Sequence, residues 1–493
     1  MRRLQPALWA LLVAATGWVM GSVELTQALM TTAGGRFETA SGLRSSAFLV
    51  SFGLSKAASN LVVGWLADRA GRRTAMAVGW LAGAAVAPMI HFAQAWEVVV
   101  ASDVLLGIQQ SFCWSAGIFA MLDLLGPSRR GLAIGLLETL GYIAIAASRS
   151  AIAAAGGSCG EDLALGLAGG VCVAGALVSA ACLRETNRPP PPAAPASPAH
   201  DSVHLAADGS AGGARGGCCS ASAAALAACC VAGCTLNFGT AFAWGAMTRW
   251  LTSRECGGGT CAAAAGAGQL PAGAAADRRL PCGAGAWSYV VVGLGLCSAS
   301  LACFSLLVAL DEPLAPLPPA NETAPSGEEG GRAERPPLSG AAVGAAAGLT
   351  SLLGLGTALA YANLQACAAP LVPPHRSSSA IGAVRCVRDL GYAVGGVALG
   401  AVSDLSGRPW AAPALGAVAA AVAAALFEGA RGRAIAAEKA AGGFGATGLR
   451  AGGAAPSRRE ARGRCASGSG GGDVSLRAVG ESTEHTVSVR AAL

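Results

Sequence analysis

Apolar residues come in runs of about 20, long enough to cross a bilayer as helices, and polar residues gather between them. In the first half the runs are 7–29, 45–66, 74–94, 97–123, 131–154 and 163–183. In the second half they are 220–247, 287–309, 339–366, 378–402 and 410–428, which makes eleven. A twelfth candidate, 262–276 (AAAAGAGQLPAGAAA), is short, Ala-rich and interrupted by Pro271. The first run resembles a signal peptide in part, but its apolar stretch continues toward residue 30 without a clean small-residue cleavage site. It is therefore expected to be a first spanning helix with its N-terminus inside.

The segments between the runs differ in kind. RPPPPAAPASPAHDS (188–202) opens a polar linker that reaches to about 219, where proline blocks helix and favours extended, solvated chain. Residues 311–337 are acidic and Pro-rich and contain Asn321-Glu322-Thr323, a glycosylation sequon. After residue 430 the chain turns to Gly, Ala, Ser and Arg without periodicity, with ten Arg or Lys against five Asp or Glu. That composition predicts a disordered basic tail.

Composition sharpens the picture. Hydrophobic residues make up 53% of the 493 and charged residues 13%, about half the charge of an ordinary soluble domain. Mean hydropathy is +0.52. A water-exposed surface cannot be built from so few charges, so the reading is a multi-pass membrane protein. The net charge of +6 is confined to short segments and the tail, which argues against nucleic acid as a partner. Most of the 17 cysteines fall inside apolar runs, as in AACCVAGC (227–234), where Cys serves as a small hydrophobe. Cys159, Cys256 and Cys261 fall in expected outer loops, and Cys256 with Cys261 is a candidate bridge that spacing alone does not establish.

Charge asymmetry sets the orientation. Arg2/Arg3, Arg69/Arg72/Arg73, Arg129/Arg130, Arg184/Arg188, Arg278/Arg279, His375/Arg376 and the tail fall on one side if twelve spans are counted. Glu161/Asp162 and the acidic 311–337 segment fall on the other. Both termini are then cytoplasmic, and the alternation holds only if 262–276 counts as a crossing.

Residues 64–73, GWLADRAGRR, concentrate four charges between two apolar runs. Gly71 supports a tight turn, Gly64 lets a neighbouring helix approach, and Arg69, Arg72 and Arg73 hold the loop on the cytoplasmic side. Asp68 is expected to meet the N-terminus of a partner helix through its dipole. This stretch resembles the signature loop between helices two and three of the major facilitator superfamily. By that resemblance, Asp68 and the arginines belong to a cytoplasmic gate; the plainer reading is a topology anchor. GAGQLPAGAAADRR (266–279) resembles a decayed second copy that keeps Gly273, Asp277, Arg278 and Arg279, so Asp277 and Arg278 join the gating candidates. RRGLAIGLLETLGY (129–142) and HRSSSAIGAVRCVRDLGY (375–392) match on AIG, Ala133–Gly135 with Ala380–Gly382, which sets Glu138 opposite Arg385. Their LGY triplets are three residues out of step. NLVVGWLADRAGRR, DVLLGIQQSFCWS, NFGTAFAWG and RCVRDLGYAVGG together resemble a branch of bacterial-type facilitators, most without an assigned substrate. The chain departs from drug-exporting branches: Gly107 stands where a basic residue is usual in helix four, and helix five lacks a Gly-Pro motif.

The fold class this implies is an all-α membrane protein of twelve helices in two pseudo-symmetric six-helix bundles. The expected divisions are 1–184 for the first bundle, 185–219 for a cytoplasmic linker, 220–430 for the second bundle and 431–493 for the tail.

Ionisable residues at membrane depth are costly and usually face a cavity or a partner. The candidates are Glu24 and Gln27 in the first span, Lys56 and Asn60 in the second, and Asp103, Gln109 and Gln110 in the fourth. Glu138 and Arg149 follow in the fifth, Asn237 and Trp244 in the seventh, and Arg385, Arg388 and Asp389 in the eleventh. Arg385 and Asp389 are spaced to pair along one helix face. Arg388 then seeks its own partner, with Glu138, Lys56 or an anionic substrate as choices. Glu24 lies near an outer end with water in reach. Glu138, about 10 Å along the helix from its start, is the candidate proton carrier. Gln109, Gln110 and Asn237 can bond a polar substrate or neighbouring helices. No phosphate loop and no His/Cys metal spacing is present in the sequence, so neither ATP hydrolysis nor a cofactor is expected. The reading is a secondary transporter, not an enzyme, expected as a monomer in lipid. Its partners would be a small-molecule substrate and a driving gradient, protons being one candidate. The alternative is a non-transporting receptor or scaffold on the same fold.

Overall fold

The computed structural model describes residues 4–32, 34–126, 129–155, 157–187, 214–245, 247, 250, 284–311, 338–368 and 377–440. Among them are twelve helices and no strand: α1 Gln5–Met30, α2 Gly42–Ala70, α3 Arg72–Ala84, α4 Val86–His91, α5 Trp96–Leu125 and α6 Arg130–Ala155. The others are α7 Gly157–Ala181, α8 Ala214–Trp244, α9 Ala284–Asp311, α10 Gly340–Ala368, α11 Ser377–Ser406 and α12 Ala411–Ala440. Each of the eleven clear apolar runs lies on one of these helices or, for 74–94, on a helix pair.

Several boundaries differ for physical reasons. The run 74–94 is broken at Ala85 into α3 and α4. Pro88 has no N–H to offer the carbonyl of residue 84, and its ring crowds that carbonyl, so the ladder parts there. α7 begins at Gly157, so Cys159 sits on its first turn rather than in a loop. α12 continues ten residues beyond the expected start of the tail, because 431–440 is rich in Ala, Arg, Glu and Lys, all good helix formers. The candidate helix 262–276, Asp277, Arg278, Cys256, Cys261 and Asn321 lie outside the described residues.

Ten of these segments are long and apolar enough to cross a membrane, with Arg72–His91 taken as one. The exception among the long helices is α11, whose middle carries Arg385, Arg388 and Asp389. Apolar side chains lie exposed on the outside, while charged ones lie buried within a largely apolar interior. Val418, Val422 and Leu426 form an exposed stripe at helical spacing on α12, while Glu24, Asp103, Arg149 and Asp389 have no exposed surface. That inversion suits lipid as the surrounding solvent.

All the described residues fall within one compact unit. Helices α1–α7 pack mainly on one another, and so do α8–α12; α2 against α11 is the most extensive helix pair of all. Gly53 makes that approach possible, since a Cβ there would lie 2.5 Å from the backbone nitrogen of Ala393. Smaller meetings join α6 to α10 and α1 to α8. These crossings position the site.

Candidate functional site

The break in the apolar pattern of α11 lies at the centre of the molecule. The Asp389 carboxylate is fully buried and accepts four hydrogen bonds. Two come from its neighbour Arg388, through Nε (2.7 Å) and Nη2 (3.1 Å). Asn60 Nδ2 on α2 donates at 2.7 Å and Asn237 Nδ2 on α8 at 2.8 Å. Asn60 Oδ1 accepts from Ser111 and Ser115 of α5, and Tyr361 of α10 donates to Asn237 Oδ1 at 2.6 Å. One polar chain thus ties five helices together. The expected Arg385–Asp389 pair is not formed. Arg388 folds back on its neighbour and fills the carboxylate's positions, and Arg385 turns elsewhere.

Arg385 turns to a cavity of about 250 Å³ lined by Met20, Lys56, Trp114, Glu138 and Tyr142 together with Ile145, Tyr361, Arg385, Arg388 and Tyr392. The walls come from α1, α2, α5 and α6 on one side and α10 and α11 on the other. Lys56 Nζ stands 4.9 Å from the Phe52 ring centre, 5.1 Å from Tyr392 and 6.0 Å from Trp114. It forms no ion pair among the described residues, and neither do Arg385 and Glu138. Arg388 lies over the Tyr361 ring at 4.7 Å. Trp114, Tyr142 and Tyr361 meet edge to face, and Trp244 stacks on Tyr392 from behind at 5.0 Å. Of the candidates, Lys56, Glu138, Arg385 and Arg388 line the cavity; Asn60, Asn237 and Asp389 hold the wall behind it. The aromatic lining carries no charge to set it apart in an apolar stretch of sequence. Tyr142 and Tyr392, each the last residue of an LGY triplet in the internal repeat, were the available signal.

Glu24 does not reach water. It is fully buried, with Oε2 3.6 Å from Arg149 Nη2, because α1 packs along α6. Arg149 in turn lies 5.7 Å from the Trp244 ring. Asp103 accepts from Gln27 Nε2 at 2.9 Å. Gln110 donates to the carbonyl of Thr16 and to Gln109 Oε1. These polar residues lie between α1 and its neighbours α5 and α6 and do not line the cavity.

The 64–73 stretch builds a compact network at one end of the helices. Arg72 bridges Asp68 (2.7 Å) and Asp123 (3.2 Å), and Thr186 also bonds Asp123. The N-terminus of α3 is capped by Glu185, whose carboxylate accepts from the backbone N–H groups of Arg72 and Arg73. The expected meeting of Asp68 with a helix N-terminus is therefore replaced: Arg72 one turn away takes the carboxylate, and Glu185 serves the helix. Gly71 has φ +95°, and a Cβ there would lie 2.0 Å from Glu185 Oε2, so the turn requires glycine. Arg73 bonds the carbonyls of Ser179 and Ala180 at the end of α7, and Arg69 lies 4.5 Å from the Trp65 ring. At the opposite end of the helices Glu161 pairs with Arg36 and Asp162 with His91. There too Asp404 of α11 caps α2, accepting from Ser41 Oγ and from the N–H groups of Gly42 and Leu43.

A long helical chain with a charged, aromatic-lined cavity between its two sets of helices has a counterpart among known proteins. The family model of the Major Facilitator Superfamily matches residues 7–320. The chain belongs to this superfamily. It is accordingly an integral multi-pass membrane protein and a membrane transporter by family. Solved structures agree on the fold. One is a POT family transporter in complex with a thioalcohol-conjugated peptide, at TM-score 0.63 and 10% identity, covering 87% of this chain and 96% of that one. Another is the peptide transporter POT in complex with sulfate, at TM-score 0.62 and 13% identity, covering 87% and 95%. No curated protein matches the chain.

Proposed function

We propose that the chain is a secondary active transporter that carries a small solute by alternating access of the cavity between α2, α6, α10 and α11. The cavity carries this reading, because it is walled by helices from both sequence halves and lined by Lys56, Glu138 and Arg385, which have no ion-pair partner among the described residues. Two six-helix halves would move against each other about it. Lys56, Arg385 and Arg388 would hold the solute, and Glu138 would carry a proton if protons drive the cycle. Asn60, Asn237, Asp389 and Trp244 position these groups. Asp68, Arg69, Arg72 and Arg73, with Asp277 and Arg278, would brace and gate one mouth.

Reconstitution in liposomes tests the proposal. With and without an imposed pH gradient, saturable uptake and counterflow of one solute class are expected. A solute that binds tightly but never crosses would favour the receptor reading instead. Glu138→Gln should abolish any dependence of uptake on the gradient while leaving counterflow in place; full pH dependence in that variant removes Glu138 as proton carrier.

A further inference from the structure

The cavity holds more positive charge than its own carboxylates neutralise. Lys56, Arg385 and Arg388 line it, against Glu138 in the lining and Asp389 directly behind. Three cations face two carboxylates. Asp389 takes its hydrogen bonds from Arg388, Asn60 and Asn237, and neither Lys56 nor Arg385 bonds it directly. Each of the three cations is at most 5% exposed. Nε and Nη1 of Arg385 and Nη1 of Arg388 have no hydrogen-bond partner among the described residues. Unpaired cationic donors in a protein interior are costly, and those of Arg385 and Arg388 sit on residues that line one small cavity.

We infer that the cavity binds a small organic monoanion with a flat apolar body, its anionic group at Arg385 and Lys56 and its body among the rings of Trp114, Tyr142, Tyr361 and Tyr392. The inference rests on the transporter reading of this cavity. An anion both supplies the missing charge and accepts the free N–H groups; a neutral solute can accept N–H groups but brings no charge, and a cation adds to the excess. A zwitterion would neutralise Glu138 as well and leave the same excess, so it fits less well. Edge-to-face rings around a cavity present apolar surface suited to a planar partner.

Full-length protein in lipid nanodiscs tests this by equilibrium binding of benzoate, nicotinate, lactate and acetate, with benzamide, benzyl alcohol, glycylglycine and choline as contrasts. Benzoate and nicotinate should bind saturably, at least about tenfold tighter than benzamide or benzyl alcohol, which share the ring and lack the charge. Arg385→Gln and Lys56→Gln should each weaken benzoate by about tenfold or more, with Lys56→Arg retaining it. The comparison of benzoate with benzamide needs no variant and stands if a variant fails to fold. Failure of all four anions to bind, or equal binding of benzoate and benzamide, overturns the inference. Tighter binding of glycylglycine or choline overturns it too and leaves the transporter reading intact. Anion binding without counterflow in liposomes upholds the inference and overturns transport.

Discussion

The two ends of α2 are both held by acidic residues, but by different logic. At Gly42 the acid is Asp404, which comes from α11, far along the chain. At Arg72, just past the other end, the partners are Asp68, Asp123 and Glu185. Every described partner of Asp68, Arg69, Arg72 and Arg73 lies between residues 65 and 187. The first cluster is therefore a latch between two sets of helices, and the second is a brace inside one set. If α2 and α11 part as the protein works, the latch must break and the brace can stay whole. Sequence resemblance draws attention to the brace, whereas a parting of α2 from α11 would break the Asp404 bonds at the other end.

Midway along the same seam, the Asn60–Asp389 bond is the strongest link to test. Asp389→Ala strands Arg388 in the interior and frees the amides of Asn60 and Asn237. Breaking a buried pair on one side costs about 3–5 kcal/mol, so this variant should show the largest loss of thermal stability in detergent. A melting temperature near that of the parent would mean that the seam does not depend on this hub. The brace comes next. Arg72→Ala leaves two partly exposed carboxylates, so a loss of about 2 kcal/mol is expected, below the fully buried case. Gly71→Ala should cost about 1–3 kcal/mol through its positive φ and the clash with Glu185. If Gly71→Ala were neutral, the turn geometry would be wrong.

The smallest effect on stability is expected at the latch. Asp404→Ala removes one helix cap, worth about 1 kcal/mol. Its consequence for opening should exceed its consequence for folding. A cysteine introduced by Ser403→Cys, in the second cavity of about 290 Å³ beside Ser46 and Gly400, should react severalfold faster with a water-soluble maleimide once Asp404 is Ala. An unchanged rate would deny Asp404 a role in closing that end.

Much of this was legible before any coordinates. Runs of apolar residues marked the body of each helix, since crossing a bilayer demands length and hydrophobicity together, while the polar ends of α7, α8 and α12 run on beyond them. Buried charge marked the site, since ions at that depth are retained for a use; four of the marked residues do line the cavity. Three features were not legible. Arg388 pairs with the adjacent Asp389 and not at the i, i+4 spacing, because a long guanidinium can fold back and spacing says nothing about rotamer. Glu24 stands near the end of an apolar run, and its place along α1 gives no sign of Arg149 across the α1–α6 contact. Glu185, Asp123 and Asp404 stand near the ends of helices, where acids are ordinary in sequence, and only packing gives them partners.

The central claim is that α2 moves as a latch against α11 at one end and as part of a rigid brace at the other. Paired spin labels report it directly. One pair replaces the exposed Leu43 and Leu405, across the latch; the other replaces Arg69 and Asn187, across the brace. In nanodiscs the Leu43–Leu405 pair should show two distances whose populations change with Asp404→Ala, while the Arg69–Asn187 pair keeps a single narrow distance. A fixed distance at the latch with a divided one at the brace would contradict the account.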